Sequence, residues 1–257
     1  MKKKKKKELS LDSNDFKGFS KRWQRCRSED LPGLFYAYDQ AENQTERIVS
    51  FFLDHKQVKE LKRRTKSLKG TPYYLVYLGL EKGYDGEFAP EDPHFKPILQ
   101  VRDQDSDQYT NGFLLQWDAD PSFPTNPNES IESGPDAISG AAAFLFAHHW
   151  LETRHEDLGV PFESNAYMLG RRVKAYRFSN QESQEITKSI ANFGDNPVRV
   201  YVHLGRGISV STHPFSFRPV LQVKPDVGDD PRKKRLADED DDTSYYDFSQ
   251  PIPPQNP

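Results

Sequence analysis

The chain has 257 residues, of which 35% are hydrophobic, 12% aromatic and 29% charged, and its formal net charge is −3. Neither half of the chain has the strong positive charge that is typical of a nucleic-acid-binding domain. Cys26 is the only cysteine, so the chain can form neither an intramolecular disulfide nor a thiolate cage around a metal.

The N-terminus carries six consecutive lysines at residues 2–7, as in the n-region of a signal peptide, but no apolar segment follows them. No apolar run elsewhere in the chain is long enough to span a bilayer. We therefore expect a soluble cytoplasmic protein without a membrane partner, in which residues 1–9 form a disordered lysine-rich tail.

The first unit of the chain, residues 10–118, predicts the element order α-β-α-β-β-β. Its first helix takes Asp12 or Ser13 as the N-cap and places its aromatic residues, among them Trp23, at helical spacing. The remaining elements are predicted as a strand over 48–53, a helix after Asp54, and strands over 72–79, 95–102 and 112–117.

Residues 119–134 are rich in Pro, Asn, Ser and Asp, which predicts a linker. The second unit, residues 135–257, repeats the element order of the first. Its first helix is predicted to begin after residues 134–136, to run through residues 141–150 and to end near Gly159 and Pro161, and its second helix begins after Ser179. Its strands are predicted over 173–178, 197–205, 217–223 and 244–248.

Two sequence segments recur between these units. Residues 23–31 and 150–158 share five of nine positions, and residues 95–102 and 217–224 share five of eight. The two matches have nearly the same offset along the chain, which indicates a tandem duplication. We therefore predict an α+β protein of two homologous domains related by a pseudo-two-fold axis, with mostly antiparallel sheets that carry helices on one face.

The succession of elements resembles a family of small bacterial proteins of unknown function, which are mostly single-copy. The residues that carry this resemblance are the strand that ends in Leu-Gly at 198–205, the Pro-x-Leu-x-Val strand at 219–223 and the closing Tyr-Asp-Phe-x-Gln-Pro-x-Pro-Pro tail at 245–254. The family's tail usually carries cysteines among its prolines, whereas this chain has Phe123 and Ile252 near those places. The resemblance implies no activity, cofactor or partner.

One candidate metal site lies on the first helix of the second unit. His148, Glu152 and His155 have the i, i+4 and i+7 spacing of a single helix face, and Glu152 and His155 form the Glu-x-x-His pattern of di-metal carboxylate sites. Such sites need further ligands from facing helices, and none is evident in the sequence. We therefore interpret these residues as a polar helix face and predict no metal and no other cofactor.

A second candidate site combines aromatic and basic residues. Tyr73, Tyr74 and Tyr77 lie on a predicted strand just after the basic segment 62–69, a combination that single-stranded nucleic acid uses for stacking and phosphate contact. The alternative is a solvated helix face followed by a core strand. We name these tyrosines, and His203 on the matching strand of the second unit, as candidate ligand-binding or partner-binding residues.

The acidic pairs Glu29-Asp30 and Glu156-Asp157 follow the duplicated tryptophans, and each has a matching arginine nearby. We interpret them as structural ion pairs rather than as acid–base groups, because both pairs fall at a helix end.

No catalytic constellation is shared by the two units, so a non-enzymatic binding or interaction module is the preferred function. Its partner would be a protein or a small ligand, for instance a strand added at an exposed sheet edge. One alternative is an enzyme with its site in the cleft between the repeats. A second alternative is a single-stranded nucleic-acid binder, which the charge balance disfavours.

Overall fold

The computed structural model describes residues 10–38, 44–81, 93–119, 138–162, 172–207, 216–226, 244–246 and 250–252. The predicted tail, residues 1–9, and all of the predicted linker except residue 119 lie outside the described residues. Helices and antiparallel sheets together give the α+β class, which confirms the predicted fold class.

Within the described residues, the α-helices are α1 Ser13–Arg25, α2 His55–Thr65, α3 Gly140–Leu151 and α4 Asn180–Asn192. The strands are β1 Tyr36–Tyr38, β2 Gln44–Arg47, β3 Ser50–Leu53, β4 Pro72–Tyr77, β5 Ile98–Asp103, β6 Phe113–Leu114, β7 Gln116–Trp117, β8 Ala175–Arg177, β9 Val198–His203, β10 Arg206–Gly207, β11 Ser216–Phe217, β12 Val220–Pro225, β13 Ser244–Tyr246 and β14 Gln250–Ile252. Short 3-10 helices cover Ser28–Asp30, Pro32–Phe35, His155–Asp157 and Val160–Phe162.

The N-caps of α1, α2 and α4 are where the sequence predicts them, whereas α3 begins later than predicted, with Ser139 as its N-cap. The Asp12 carboxylate accepts the backbone N–H groups of the first turn of α1. Asp54 and Ser179 each form a reciprocal capping box with the residue three positions on, at the start of α2 and α4. Beyond the end of α4, Gly194 adopts a left-handed φ of 56°, which reverses the chain at little cost for glycine.

Two five-stranded sheets dominate the fold, with strand orders β13-β12-β9-β3-β7 and β14-β8-β4-β5-β6. Each sheet combines strands from both units. β3 of the first unit pairs with β9 of the second, and β8 of the second unit pairs with β4 of the first. Each unit thus contributes two strands to the sheet in which the other unit has three, and this strand exchange is absent from the sequence prediction. The division into two repeat domains and their pseudo-two-fold relation stay predictions.

The main hydrophobic core includes buried residues of both five-stranded sheets, of α2 and of α4, and it draws on both units. The outer faces are also apolar in part. α1 packs on the outer face of β4, where the ring centroids of Phe16 and Tyr77 lie 4.8 Å apart in an edge-on arrangement. α3 packs against Val220 and Tyr245. The expectation of helices on one face only was wrong. Tyr74 and Tyr77 lie on opposite faces of β4 and both are buried, so both faces of this strand are covered.

The duplicated tryptophans of α1 and α3 each form a hydrogen bond to the other unit. Trp23 Nε1 donates to the carbonyl oxygen of Val173 at 2.8 Å, and Trp150 Nε1 donates to that of Ile48 at 2.9 Å. Both indoles are buried in the common core. Their hydrogen bonds to the other unit add to the strand exchange, so the two units cannot separate without exposing these rings.

The predicted ion pairs of the acidic turns are confirmed. Arg27 contacts Glu29 and Asp30, both at 2.9 Å. In the second unit Arg154 contacts the matching acids in the same way. Because both arginines are largely exposed, these pairs fix the local turns and contribute little to stability.

Candidate functional site

A cleft of about 340 Å³ opens between α2 of the first unit and the turn that joins α4 to β9 in the second. Its lining residues are His55, Val58, Lys59, Lys62, Arg63, Lys66, Ile190, Gly194, Asp195, Asn196 and Val198. The cleft is therefore formed by both units, and it is large enough for a small organic ligand.

One rim of the cleft is a row of basic residues on α2. His55, Lys59, Lys62 and Lys66 follow one another at spacings of four, three and four, which places them on one helix face. At a rise of about 1.5 Å per residue, the row extends over about 16 Å. The amphipathic pattern of α2 accounts for this arrangement, because Val58 and the other apolar residues of the helix turn towards the core.

The floor of the cleft belongs to the hydrophobic core. Val58, Ile190 and Val198 are buried side chains of that core, and they come from α2, α4 and β9. A ligand in the cleft thus meets aliphatic carbon below and charged groups at the rim. This combination of an apolar surface and a few polar groups is typical of small-molecule sites.

Hydrogen bonds hold the opposite wall against α2. Lys62 Nζ donates to the carbonyl oxygen of Gly194 at 2.9 Å, and the backbone N–H of Val198 donates to Nδ1 of His55 at 3.4 Å. With Nδ1 as the acceptor, a neutral His55 ring carries its hydrogen on Nε2 and can donate it. The wall that contains residues 194–198 is therefore fixed in place by the basic rim itself.

The rim carries an excess of positive charge. Four lysine and arginine side chains line the cleft, against the single carboxylate of Asp195. Arg63 is neutralised by Glu60 at 2.6 Å, and the hydrogen bonds from Arg63 and Arg64 lower the pKa of Glu60 to about 2. Within the described part of the chain, Lys59 and Lys66 have no acidic partner within 4 Å, so their charges remain available to an anion.

The tyrosines named from the sequence do not form one surface. Tyr74 faces the inner core at 1% exposure, and burial raises its pKa to about 12. Tyr77 faces outwards but is covered by α1 and only 4% exposed. Tyr73 is half-buried, with the Arg177 guanidinium 4.1 Å from its ring centroid. Stacking of bases on Tyr74 and Tyr77 would require the fold to open, and their assignment as binding residues stays a prediction.

His203 lies in a buried polar network. Its Nδ1 is 3.0 Å from Oγ of Ser50, its Nε2 is 2.7 Å from Oε1 of Gln222, and Gln222 in turn donates to the Tyr245 hydroxyl. Burial lowers the pKa of His203 to about 4, so the ring is neutral at pH 7. The Ser50–His203 distance is that of a nucleophile and its base. Ser50 is fully buried, however, and the network joins β3, β9, β12 and β13 inside the fold.

The metal candidates are separated by the end of a helix. α3 ends at Leu151, with Glu152 as its C-cap, and His148 Nε2 lies 3.1 Å from the Glu152 carboxylate. His155 belongs to the following 3-10 turn, where its ring lies 5.4 Å from that of Tyr36. The expectation that all three share one helix face was wrong. Across the described ranges, no group of three or more His, Cys, Asp or Glu side chains is placed to hold a metal.

The sequence indicated only part of the cleft. The basic segment 62–69 is evident in the sequence, and the helical spacing of His55 and Lys59 extends the same face towards the N-terminus of α2. The wall at 194–198 had no sequence signal of its own, because its role depends on contact with α2 more than a hundred residues away.

No family model, no curated protein and no solved structure matches the chain. The resemblance to a small bacterial family therefore stays a prediction. Among the described residues, none of the helices combines the length and the apolar character needed to cross a membrane.

Proposed function

We propose that the protein is a non-enzymatic binding module, and that its ligand is an anion held in the cleft between α2 and residues 194–198. The observation that carries this proposal is the row of Lys59, Lys62 and Lys66 beside an apolar floor, with a wall supplied by the other unit. Ammonium groups at such a rim form charge-assisted hydrogen bonds to phosphate, sulfate or carboxylate oxygens.

Binding accounts for these groups better than catalysis does. His55 is the histidine of the cleft lining, and its Nδ1 already accepts the N–H of Val198. The pair with nucleophile–base spacing, Ser50 and His203, is buried in a separate part of the fold. The cleft thus offers cations and hydrogen-bond donors, which suit recognition of an anion.

The test is a thermal-shift titration of the full chain with inorganic phosphate at low and moderate salt, because a ligand that prefers the native state raises the melting temperature. We expect a rise that diminishes with added salt and is lost in the double variant Lys59→Gln/Lys66→Gln. The matched control is Lys17→Gln/Lys21→Gln, which removes the same charge from exposed positions of α1. An equal response in the two double variants would contradict the proposed site.

A further inference from the structure

We infer that the ligand of the cleft is an amphiphilic organic anion, with one acidic head group at the lysine rim and an apolar or aromatic body on the aliphatic floor. This inference rests on the proposed function and narrows it from anions in general to one chemical class. It depends on three features of the cleft: its asymmetric charge, its apolar floor and its volume.

The charges of the cleft lie on one side. All of the basic lining residues belong to α2 and its C-cap, whereas the opposite wall carries Asp195 and Asn196. A ligand with a single anionic end can place that end at the rim and keep its other end away from Asp195. A polyanion that fills the cleft would bring negative charge against this carboxylate, which disfavours it.

The lysines of the rim differ in whether the ammonium group hydrogen-bonds to the opposite wall. Lys62 is held by its hydrogen bond to Gly194, so its position is fixed near the middle of the row. Lys59 and Lys66 flank it on the same helix face and are exposed. Lys59 and Lys66 thus provide one exposed ammonium group on each side of Lys62 that can hydrogen-bond to an anionic head group.

The apolar floor of the cleft favours a ligand that has an apolar body in addition to its anionic head group. Val58, Ile190 and Val198 line the base of the cleft, but each is at most 5% exposed, so the aliphatic stems of the rim lysines would supply most of the apolar contact with a ligand. Water on such a surface is displaced favourably by apolar atoms. A volume of about 340 Å³ falls within the range of drug-sized ligand sites, which is larger than an inorganic anion needs. An apolar body on the head group would occupy this remaining space.

The experiment uses four probes with the full chain. 8-Anilinonaphthalene-1-sulfonate has both the anionic head and the aromatic body, N-phenyl-1-naphthylamine has the body alone, sulfate has the head alone, and an oligothymidylate is a polyanion. Fluorescence measures the first two by direct titration, and displacement of the anilinonaphthalene sulfonate measures the last two. Near-UV circular dichroism confirms that each protein stays natively packed, because this probe also binds partly unfolded states.

We expect the anilinonaphthalene sulfonate to bind at one site, at least tenfold more tightly than each of the other three probes. Lys59→Gln/Lys66→Gln should weaken it roughly tenfold, as expected for lost charge-assisted hydrogen bonds. Val198→Thr, which puts a hydroxyl on the floor, should weaken it roughly fivefold, whereas Lys17→Gln/Lys21→Gln should leave it unchanged. If Val198→Thr lowers the melting temperature too far, Ile190→Val supplies the floor variant, with a smaller loss.

Two claims are tested here, anion binding in the cleft and the amphiphilic class of the ligand, and different results would contradict each of these two levels. If sulfate or the oligothymidylate binds as tightly as the amphiphile and the floor variant has no effect, the amphiphilic class is wrong and anion binding in the cleft stands. If N-phenyl-1-naphthylamine binds equally well, the head group is irrelevant and both levels fail. If the cleft and α1 double variants give the same affinities, the site is elsewhere and both levels fail.

Discussion

Mild acid should destabilise the folded chain through His203. The neutral ring is buried in the network with Ser50 and Gln222, so burial holds its folded-state pKa near 4, against 6.5 for an exposed histidine. Between these values the unfolded chain binds a proton that the folded chain does not. The contribution of the neutral His203 ring to stability is therefore fully present above the unfolded-state pKa of 6.5, and it is lost progressively as the pH falls towards 4.

The size of the effect follows from the two pKa values. Linkage gives a loss of about 1 kcal/mol at pH 5.5 and about 2–3 kcal/mol at pH 4.5, relative to pH 7.5. The interval from pH 7.5 to 5.5 is the more informative one, because most carboxylates stay ionised there in both states. A change of this size is a large fraction of the stability of an ordinary domain.

The assay is urea denaturation of the wild-type chain and the His203→Gln variant at pH 7.5, 6.5 and 5.5. Glutamine can hydrogen-bond in the network but does not titrate, so the variant should lose most of the fall in stability of about 1 kcal/mol between pH 7.5 and pH 5.5. His148→Gln, at an exposed position, is the matched control and should keep the wild-type slope. Parallel pH profiles for wild type and His203→Gln would refute the role assigned to the buried ring.

Two further predictions concern the contacts between the units and the close approach of strands. Trp150→Phe removes the hydrogen bond to Ile48 and leaves space in the core, so we expect a loss of about 2 kcal/mol in urea denaturation. Trp117→Phe, at the half-buried edge strand, should cost less, and equal losses would contradict the account. Gly205→Ala would place a methyl carbon 2.5 Å from the backbone oxygen of Arg218, and we expect it to cost about 1–3 kcal/mol in the same assay. A neutral Gly205→Ala variant would show that the strands separate more easily than the structure indicates.

The sequence predicted the features that depend on neighbouring residues. Asp54 and Ser179 cap helices through bonds to residues three positions away, and Gly194 ends a helix through its own backbone freedom. The end of α3 was predicted less well. The Arg47 guanidinium holds the carbonyl oxygens of Trp150 and Thr153, and no local pattern encodes this contact from the other unit.

The strand exchange could not be predicted from the pattern. The last four residues of β4 and of β9 are all buried, so the burial pattern alone does not decide which of the two strands pairs with β3. The choice between pairing within a unit and pairing across units depends on chain connections, which periodicity does not record. The cleft could not be predicted for the same reason, because the strand exchange brings its wall at residues 194–198 next to α2.

The most direct test of the account is an amide chemical-shift map of the full chain titrated with 8-anilinonaphthalene-1-sulfonate. Binding in the cleft predicts that the largest shifts fall in α2 and at residues 194–198, two segments that are distant in sequence and adjacent only in this fold. The same map for Lys59→Gln/Lys66→Gln should show these shifts reduced at equal probe concentration. Shifts confined to the exposed face of α3, or a pattern unchanged in the double variant, would contradict the proposed anion site.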